Sequence, residues 1–204
     1  MKSSFQPLKA RFQDSLIEAG IDEAGRGCLA GPVVAAAVIF PPNFNDPELN
    51  DSKKLTATQR EKICERIKSN AFAWAIGVID NVLIDEINIL QATYQAMHDA
   101  IDQLSQKPEL LLVDGNRFKP YPGIPFRCFI KGDGRFQSIA AASILAKTHR
   151  DALMQEMHLK YPCYGWDQNK GYPTKFHRQA IKKNGISPLH RISFQLLPPL
   201  SLFD

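Results

Sequence analysis

The chain has 204 residues, a formal net charge of +4 and 44% hydrophobic side chains, enough to bury one ordinary core without calling for a second domain. No stretch approaches the roughly 18 consecutive apolar residues of a membrane span, and residues 1–14 lack the apolar centre of a signal peptide. The sequence therefore reads as one cytoplasmic domain over 1–204, with its core at about 16–194, a tail at 195–204, and no membrane contact. Cys28, Cys64, Cys128 and Cys163 are far apart and form no Cys-x-x-Cys, which argues against both a zinc site and a disulfide framework.

The charge is unevenly spread. Residues 1–130 carry 14 Lys and Arg against 16 Asp and Glu, whereas residues 131–191 carry 11 against 4. A basic last third interleaved with Tyr161, Tyr164, Trp166, Tyr172 and Phe176 suits a polyanionic partner, because neutralising phosphates releases counterions; a solvated basic face is the alternative.

In chain order, residues 16–21 read as a strand that ends in Asp22 and Glu23 and runs into Gly25-Arg26-Gly27. Successive strand side chains point to opposite faces, so these carboxylates share a site only if the chain leaves the strand there, as the glycines permit. The stretch then offers metal ligands beside anion donors, or is merely an exposed acidic pair in a glycine turn. Residues 33–40 form a continuous apolar run, expected of a strand covered on both faces and placed to form a hairpin with the first. Thr56 with Gln59 makes a capping box for a helix bearing Ile63 and Ile67 on its apolar face. Residues 71–79 follow as a strand. Helical stretches at 82–87 and 90–104 come next, the second presenting Leu90, Tyr94, Met97 and Ile101 to a core.

Residues 110–113 repeat the opening pattern, an apolar strand ending in Asp114-Gly115. Ligands bind at that edge of open sheets with helical crossovers, although Asp-Gly also starts simple turns. A short strand at 126–130 leads to Lys131-Gly132-Asp133-Gly134, where Asp133 is either a third carboxylate at a strand end or the cap of the next helix. That helix, about 138–158, begins with small apolar residues and carries a polar stripe of Ser143, Lys147, Arg150 and Asp151. The stripe fits a phosphate held by Ser143 and Lys147, or a Lys147–Asp151 ion pair. Gly171-Tyr172-Pro173-Thr174 then opens a last basic helix at 175–184, which Gly185 stops.

Asp22, Glu23, Asp114 and Asp133 thus all lie at strand ends beside glycine. Clustered carboxylates repel one another unless a cation neutralises them, and Mg2+ or Mn2+ held by one or two carboxylates each, with water and phosphate oxygens, answers that need. Two such ions about 3.5 to 4 Å apart would serve phosphodiester cleavage. There is neither a serine or cysteine nucleophile with a positioned histidine nor a phosphate-binding loop.

Gly20-Ile21-Asp22-Glu23-Ala24-Gly25-Arg26-Gly27 with Ala30-Gly31-Pro32, Asp51-Ser52-Lys53-Lys54-Leu55, Val113-Asp114-Gly115, Lys131-Gly132-Asp133, residues 139–147 with Arg150-Asp151, and Gly171-Tyr172-Pro173-Thr174 together resemble the type 2 ribonucleases H, the ribonuclease HII family, over about residues 16–194. The resemblance implies an α/β, ribonuclease H-like fold with a central mixed five-stranded sheet flanked by helices and a C-terminal helical segment. It implies an endonuclease that hydrolyses the RNA strand of RNA-DNA hybrids. It further implies incision 5' to single ribonucleotides in duplex DNA, leaving 3'-hydroxyl and 5'-phosphate ends, as in ribonucleotide removal.

By the same resemblance Asp22, Glu23, Asp114 and Asp133 are the catalytic metal ligands for Mg2+ or Mn2+. Gly25, Arg26 and Gly27 read the ribose 2'-hydroxyl, and Tyr172 packs on the neighbouring deoxyribose. Lys53, Ser143 and Lys147 stand near backbone phosphates, and Asp151 plays a supporting part. Cys28 departs from the family pattern, which usually has proline there, and this bears on the rigidity of the turn. Pro199-Leu200-Ser201-Leu202-Phe203 resembles peptides that dock on the bacterial sliding clamp, or else packs the chain end onto its own core. A monomer is the family default. Two other readings stay open at this level: a different metal-dependent nuclease or strand-transfer enzyme on the same fold, which would not need Gly25-Arg26-Gly27 with Tyr172, and a non-catalytic nucleic-acid-binding module, which gives the carboxylates no task.

Overall fold

The computed structural model describes residues 8–49 and 55–198. Among them, five strands form one sheet in the order β3-β2-β1-β4-β5. Strands β1 (Glu18–Ala24) and β2 (Val33–Ile39) are antiparallel and are followed by helix α1 (Ala57–Asn70), strand β3 (Ala73–Ile79), antiparallel to β2, and helix α2 (Asn81–Asp102). Strands β4 (Leu110–Asp114) and β5 (Phe126–Phe129) then run parallel to β1, making the sheet mixed. Helices α3 (Gln137–Lys160), α4 (Trp166–Asn169) and α5 (Lys175–Asn184) complete the chain.

Strand β2 shows why the apolar run is continuous. Val33, Ala35, Ala37 and Ile39 pack with α2 on one face, while Val34, Ala36 and Val38 pack with α1 and α3 on the other. Both faces are therefore dry. The capping box forms as expected: Thr56 accepts from the Gln59 N–H, and the Gln59 side chain accepts from the Thr56 N–H at 2.8 Å. Ile63 and Ile67 are buried beneath it. Within α2 the two expected helical stretches, 82–87 and 90–104, are separated by a kink at Asn88, whose φ of 67° is non-helical and whose side chain accepts from the Leu90 and Gln91 N–H groups. No helix of the described residues is long and apolar enough to cross a membrane.

Two expectations need correction. The first strand does not end before Asp22. Its antiparallel pairing continues to Ala24, opposite Val34, whereas its parallel pairing with β4 stops at Ile21, opposite Val113. Asp133 is neither at a strand end nor a helix cap, since it lies in a 3-10 turn, Gly132–Gly134, and the residue at the start of α3 is Phe136. The expected hairpin of β1 with β2 forms, its two antiparallel strands joined by a loop over 25–32.

Helix α3 crosses β1 at Gly20 with almost no clearance. A Cβ at Gly20 would lie 2.1 Å from the Ser138 carbonyl carbon and 2.4 Å from the Ile139 nitrogen, both backbone atoms that cannot rotate away. Gly20→Ala is expected to lower unfolding stability by about 3 kcal/mol or more, at the upper end of overpacking costs, read as a drop in the urea midpoint with an unchanged slope.

Candidate active site

The site lies at the C-terminal edge of β1 and β4. Because the parallel register pairs Ile21 with Val113, the next residue on each strand is a carboxylate, so Asp22 and Asp114 stand side by side. Asp22 shares the face of Gly20 and Ala24, towards α3, and Glu23 shares the face of Ile21, towards α2. The sheet edge lets both reach the same opening. Asp22 is 5% exposed, and burial first, then the charges of Glu23 and Asp114, hold its carboxyl well above the usual carboxylate range. The Ser143 hydroxyl donates to it and opposes that rise. Asp114 Oδ1 accepts from the Gly132 N–H at 2.6 Å, tying β4 to the turn that carries the buried Asp133.

A cleft of about 260 Å3 opens here, lined by Asp22, Glu23, Asp114, the 24–27 turn, Arg60, Ser143, Lys147 and Tyr172. A second hollow of about 330 Å3 adjoins it across Glu23, Arg26 and Asp114, with Leu90, Tyr94 and Met97 of α2 in its wall. Leu90 and Tyr94, expected in the core, are thus half-buried at the site, while Met97 and Ile101 are buried.

The turn after β1 is shaped from behind. Gly25 has φ +96°, and a Cβ there would lie 2.0 Å from Arg150 Nε, so glycine is required twice over. Arg26 Nη1 reaches Glu23 Oε1 at 3.1 Å. The Cys28 N–H donates to the Gly25 carbonyl at 3.3 Å, a bond that proline could not make, so the departure from the family pattern leaves the turn closed. The fully buried Arg150 donates to the carbonyls of Pro32, Ala30 and Lys170 at 2.9, 3.1 and 2.8 Å. The partner of this member of the polar stripe is thus the loop scaffold.

Lys147 makes the i,i+4 ion pair with Asp151 at 2.6 Å, and Arg60 approaches Asp151 at 3.5 Å. Lys147 also stands 5.6 Å from the centre of the Tyr172 ring, and Arg150 5.9 Å. The Tyr172 hydroxyl and the Cys28 thiol are hydrogen-bonded, and burial pushes both groups up. Behind Tyr172 runs a buried relay. The Tyr172 carbonyl only accepts, so His177 Nδ1 donates to it at 2.9 Å, leaving His177 Nε2 to accept from Trp166 Nε1 at 3.0 Å. His190 Nε2–H, 3.2 Å away, shares that one acceptor with Trp166, and His190 Nδ1 accepts from the Ser187 N–H at 2.9 Å. Both imidazoles are neutral.

The structure therefore brings together Asp22, Glu23, Asp114, Gly25, Arg26, Gly27, Ser143, Lys147 and Tyr172. Asp133 sits in the adjoining turn and is not among the residues lining the cleft. Lys53 and the 199–203 peptide lie outside the described residues. Arg60, His177, His190 and Arg191 escaped the sequence reading. Arg60 is one polar residue among many on an amphipathic helix, and the other three gain meaning only through contacts with distant segments.

The donor set fits a hard divalent cation: oxygen ligands only, with a buried carboxyl destabilised by its neighbours' charge. Among the described residues no three Asp, Glu, His or Cys gather tightly enough to enclose an ion; Mg2+ is usually held by one or two carboxylates, with water and phosphate oxygens completing its shell.

Two solved structures share this architecture. Ribonuclease H2 from Pyrococcus horikoshii superimposes with a TM-score of 0.74 at 25% identity, covering 88% of this chain and 94% of its own. The ribonuclease HII of Archaeoglobus fulgidus, solved in complex with PCNA, gives 0.74 at 27% identity, covering 92% and 98%. The fold is thus ribonuclease H-like. A sequence model of the Ribonuclease HII family matches residues 19–197, and the ribonuclease HII of Bacteroides thetaiotaomicron is 60% identical over 182 residues, 89% of this chain and 91% of that protein. The chain belongs to the ribonuclease HII family, and its activity is that of a ribonuclease H acting on RNA-DNA hybrids.

Burial, followed by the neighbouring His177, lowers His190 from 6.5 to about 4, and burial lowers His177 as well. The unfolded chain therefore takes up these protons first as pH falls. The His190 contribution to stability is complete above about 6.5 and is lost as pH drops towards 4, and His177 acts in the same direction. Thermal melts across that window are expected to fall more steeply for the wild type than for His190→Gln.

Proposed function

We propose that this cleft incises duplex DNA on the 5' side of a single embedded ribonucleotide, leaving 3'-hydroxyl and 5'-phosphate ends, and so serves ribonucleotide removal from DNA. The observation that carries the reading is the placement of Asp22 and Asp114 beside an open glycine turn and the half-exposed Tyr172 in one cleft. A nuclease that ignores the sugar has no use for that turn and ring. Asp22, Glu23, Asp114 and Asp133 hold Mg2+ or Mn2+, which when bound activates water and stabilises the departing oxygen.

The backbone of Gly25, Arg26 and Gly27 addresses the 2'-hydroxyl, the one group that separates RNA from DNA at a single nucleotide. Tyr172 lies against the following deoxyribose. Lys147, Ser143 and Lys53 face the phosphates, with Lys147 oriented by Asp151. The enzyme works in the cytoplasm as a single-domain monomer.

The test is cleavage of a labelled duplex carrying one ribonucleotide, against an all-DNA duplex, in Mg2+, Mn2+ and EDTA. Metal-dependent incision only at the 5' side of the ribonucleotide is expected. Asp133→Asn should slow it by about a hundredfold or more, because a lost ligand removes several kcal/mol of transition-state stabilisation. Equal cutting of the all-DNA duplex would overturn the reading.

We also propose that residues 199–203 dock this chain on the bacterial sliding clamp, a reading supported by the peptide's resemblance and by the Archaeoglobus fulgidus relative solved with PCNA. Removing residues 199–204 is expected to abolish co-elution with the clamp and leave the melting temperature unchanged. A lowered melting temperature with co-elution retained would instead mean that the tail packs on its own fold.

A further inference from the structure

Arg191 is fully buried, and among the described residues no carboxylate lies within ion-pair distance of it. Its guanidinium is directed at the loop between β1 and β2. Nε and Nη2 donate to the Gly31 carbonyl at 3.0 and 2.8 Å, and Nη1 donates to the Arg26 carbonyl at 3.0 Å. Its own N–H donates to the Leu29 carbonyl at 2.8 Å, and its guanidinium lies 5.1 Å from the Phe194 ring centre. Taking a cation out of water without an anion is costly, and a methionine or leucine would fill the same space. What arginine adds is a rigid fork that reaches both carbonyls at once.

The Arg26 carbonyl belongs to the planar, trans peptide that also carries the Gly27 N–H, and the two groups point in opposite directions. Holding the oxygen inward therefore turns the N–H outward. Gly27 is exposed, nothing stands within 4 Å of where its Cβ would be, and it lines the cleft. Its N–H makes no hydrogen bond to any described residue. We infer that Arg191 is a positioning residue for sugar recognition: by fixing the Arg26–Gly27 peptide, it aims the Gly27 N–H into the cleft as a donor to the ribose 2'-oxygen. This rests on the ribonucleotide reading above.

The test compares wild type, Arg191→Met and Arg191→Lys, each first shown to fold by its thermal melt. Two quantities are read: kcat and KM on the single-ribonucleotide duplex, and affinity in EDTA for that duplex against its all-DNA twin. The wild type should cut at the ribonucleotide and bind its duplex more tightly than the twin; failure here would sink the parent reading, not the role of Arg191.

Given that, Arg191→Met should lose most of the preference for the ribonucleotide and drop in kcat/KM by up to about a hundredfold, the scale of a misplaced binding group, with affinity for the all-DNA duplex kept. A lysine's single ammonium cannot hold both carbonyls, so Arg191→Lys should also lose preference, and it decides the matter if the methionine variant does not fold. A folded variant with wild-type preference, or equal loss of affinity for both duplexes, overturns the inference.

Discussion

The arrangement depends on the parallel pairing of β1 with β4. Two apolar strands in that register, covered on both faces, deliver the buried Asp22 and the partly buried Asp114 side by side at the C-terminal edge of the sheet. Burial first, and then the charges of Glu23 and Asp114, disfavour ionisation there and raise the Asp22 carboxyl. The close crossing of α3 on β1 depends on the absence of a side chain at Gly20. It brings the Ser143 hydroxyl to Asp22, so that one buried oxygen has a donor before any cation arrives.

Around this edge the functional loops are held by buried polar groups that reach across the chain. Arg150 and Arg191 between them hold carbonyls at Arg26, Ala30, Gly31, Pro32 and Lys170. The Leu29 N–H donates to the Gly171 carbonyl, joining the turn after β1 to the segment that presents Tyr172. These loops have little regular structure of their own, so their shape is borrowed from guanidinium groups and imidazoles inside the C-terminal third. Part of the positive charge that makes this third look like a nucleic-acid surface is therefore internal. Tyr164 and Trp166 are likewise buried, leaving Tyr172 and Phe176 as the exposed aromatics of that group.

Much of the fold was legible in the sequence. Alternation and apolar runs predicted five strands close to those observed, the capping box marked the start of α1, and Gly185 marked the end of α5. These signals are local, because each depends on a periodicity or a cap within a few residues. The errors sit where partners decide. The continuation of β1 through Glu23 comes from β2, which pairs further than β4 does, and no property of residues 22–24 announces it. Asp133 fitted a strand end or a cap equally well until the 3-10 turn placed it.

For the candidate site, the sequence alone offered the chemical parts: four carboxylates beside glycines, a Gly-Arg-Gly turn, a lysine one helical turn from its aspartate, and a tyrosine ahead of the last helix. Strand ends and turns announce themselves by residue type, so these were visible. Only the tertiary structure decided which parts meet. It joined Asp22 to Asp114 and Ser143, put Leu90 in the wall of a hollow that Tyr94 and Met97 reach from the core, and set Arg191 and the His177–His190 relay behind the turn and the tyrosine. Those contacts join residues up to 165 positions apart. A buried arginine or histidine carries no local signal of what it will hold, because its partners are backbone carbonyls and side chains that only the completed packing brings within reach.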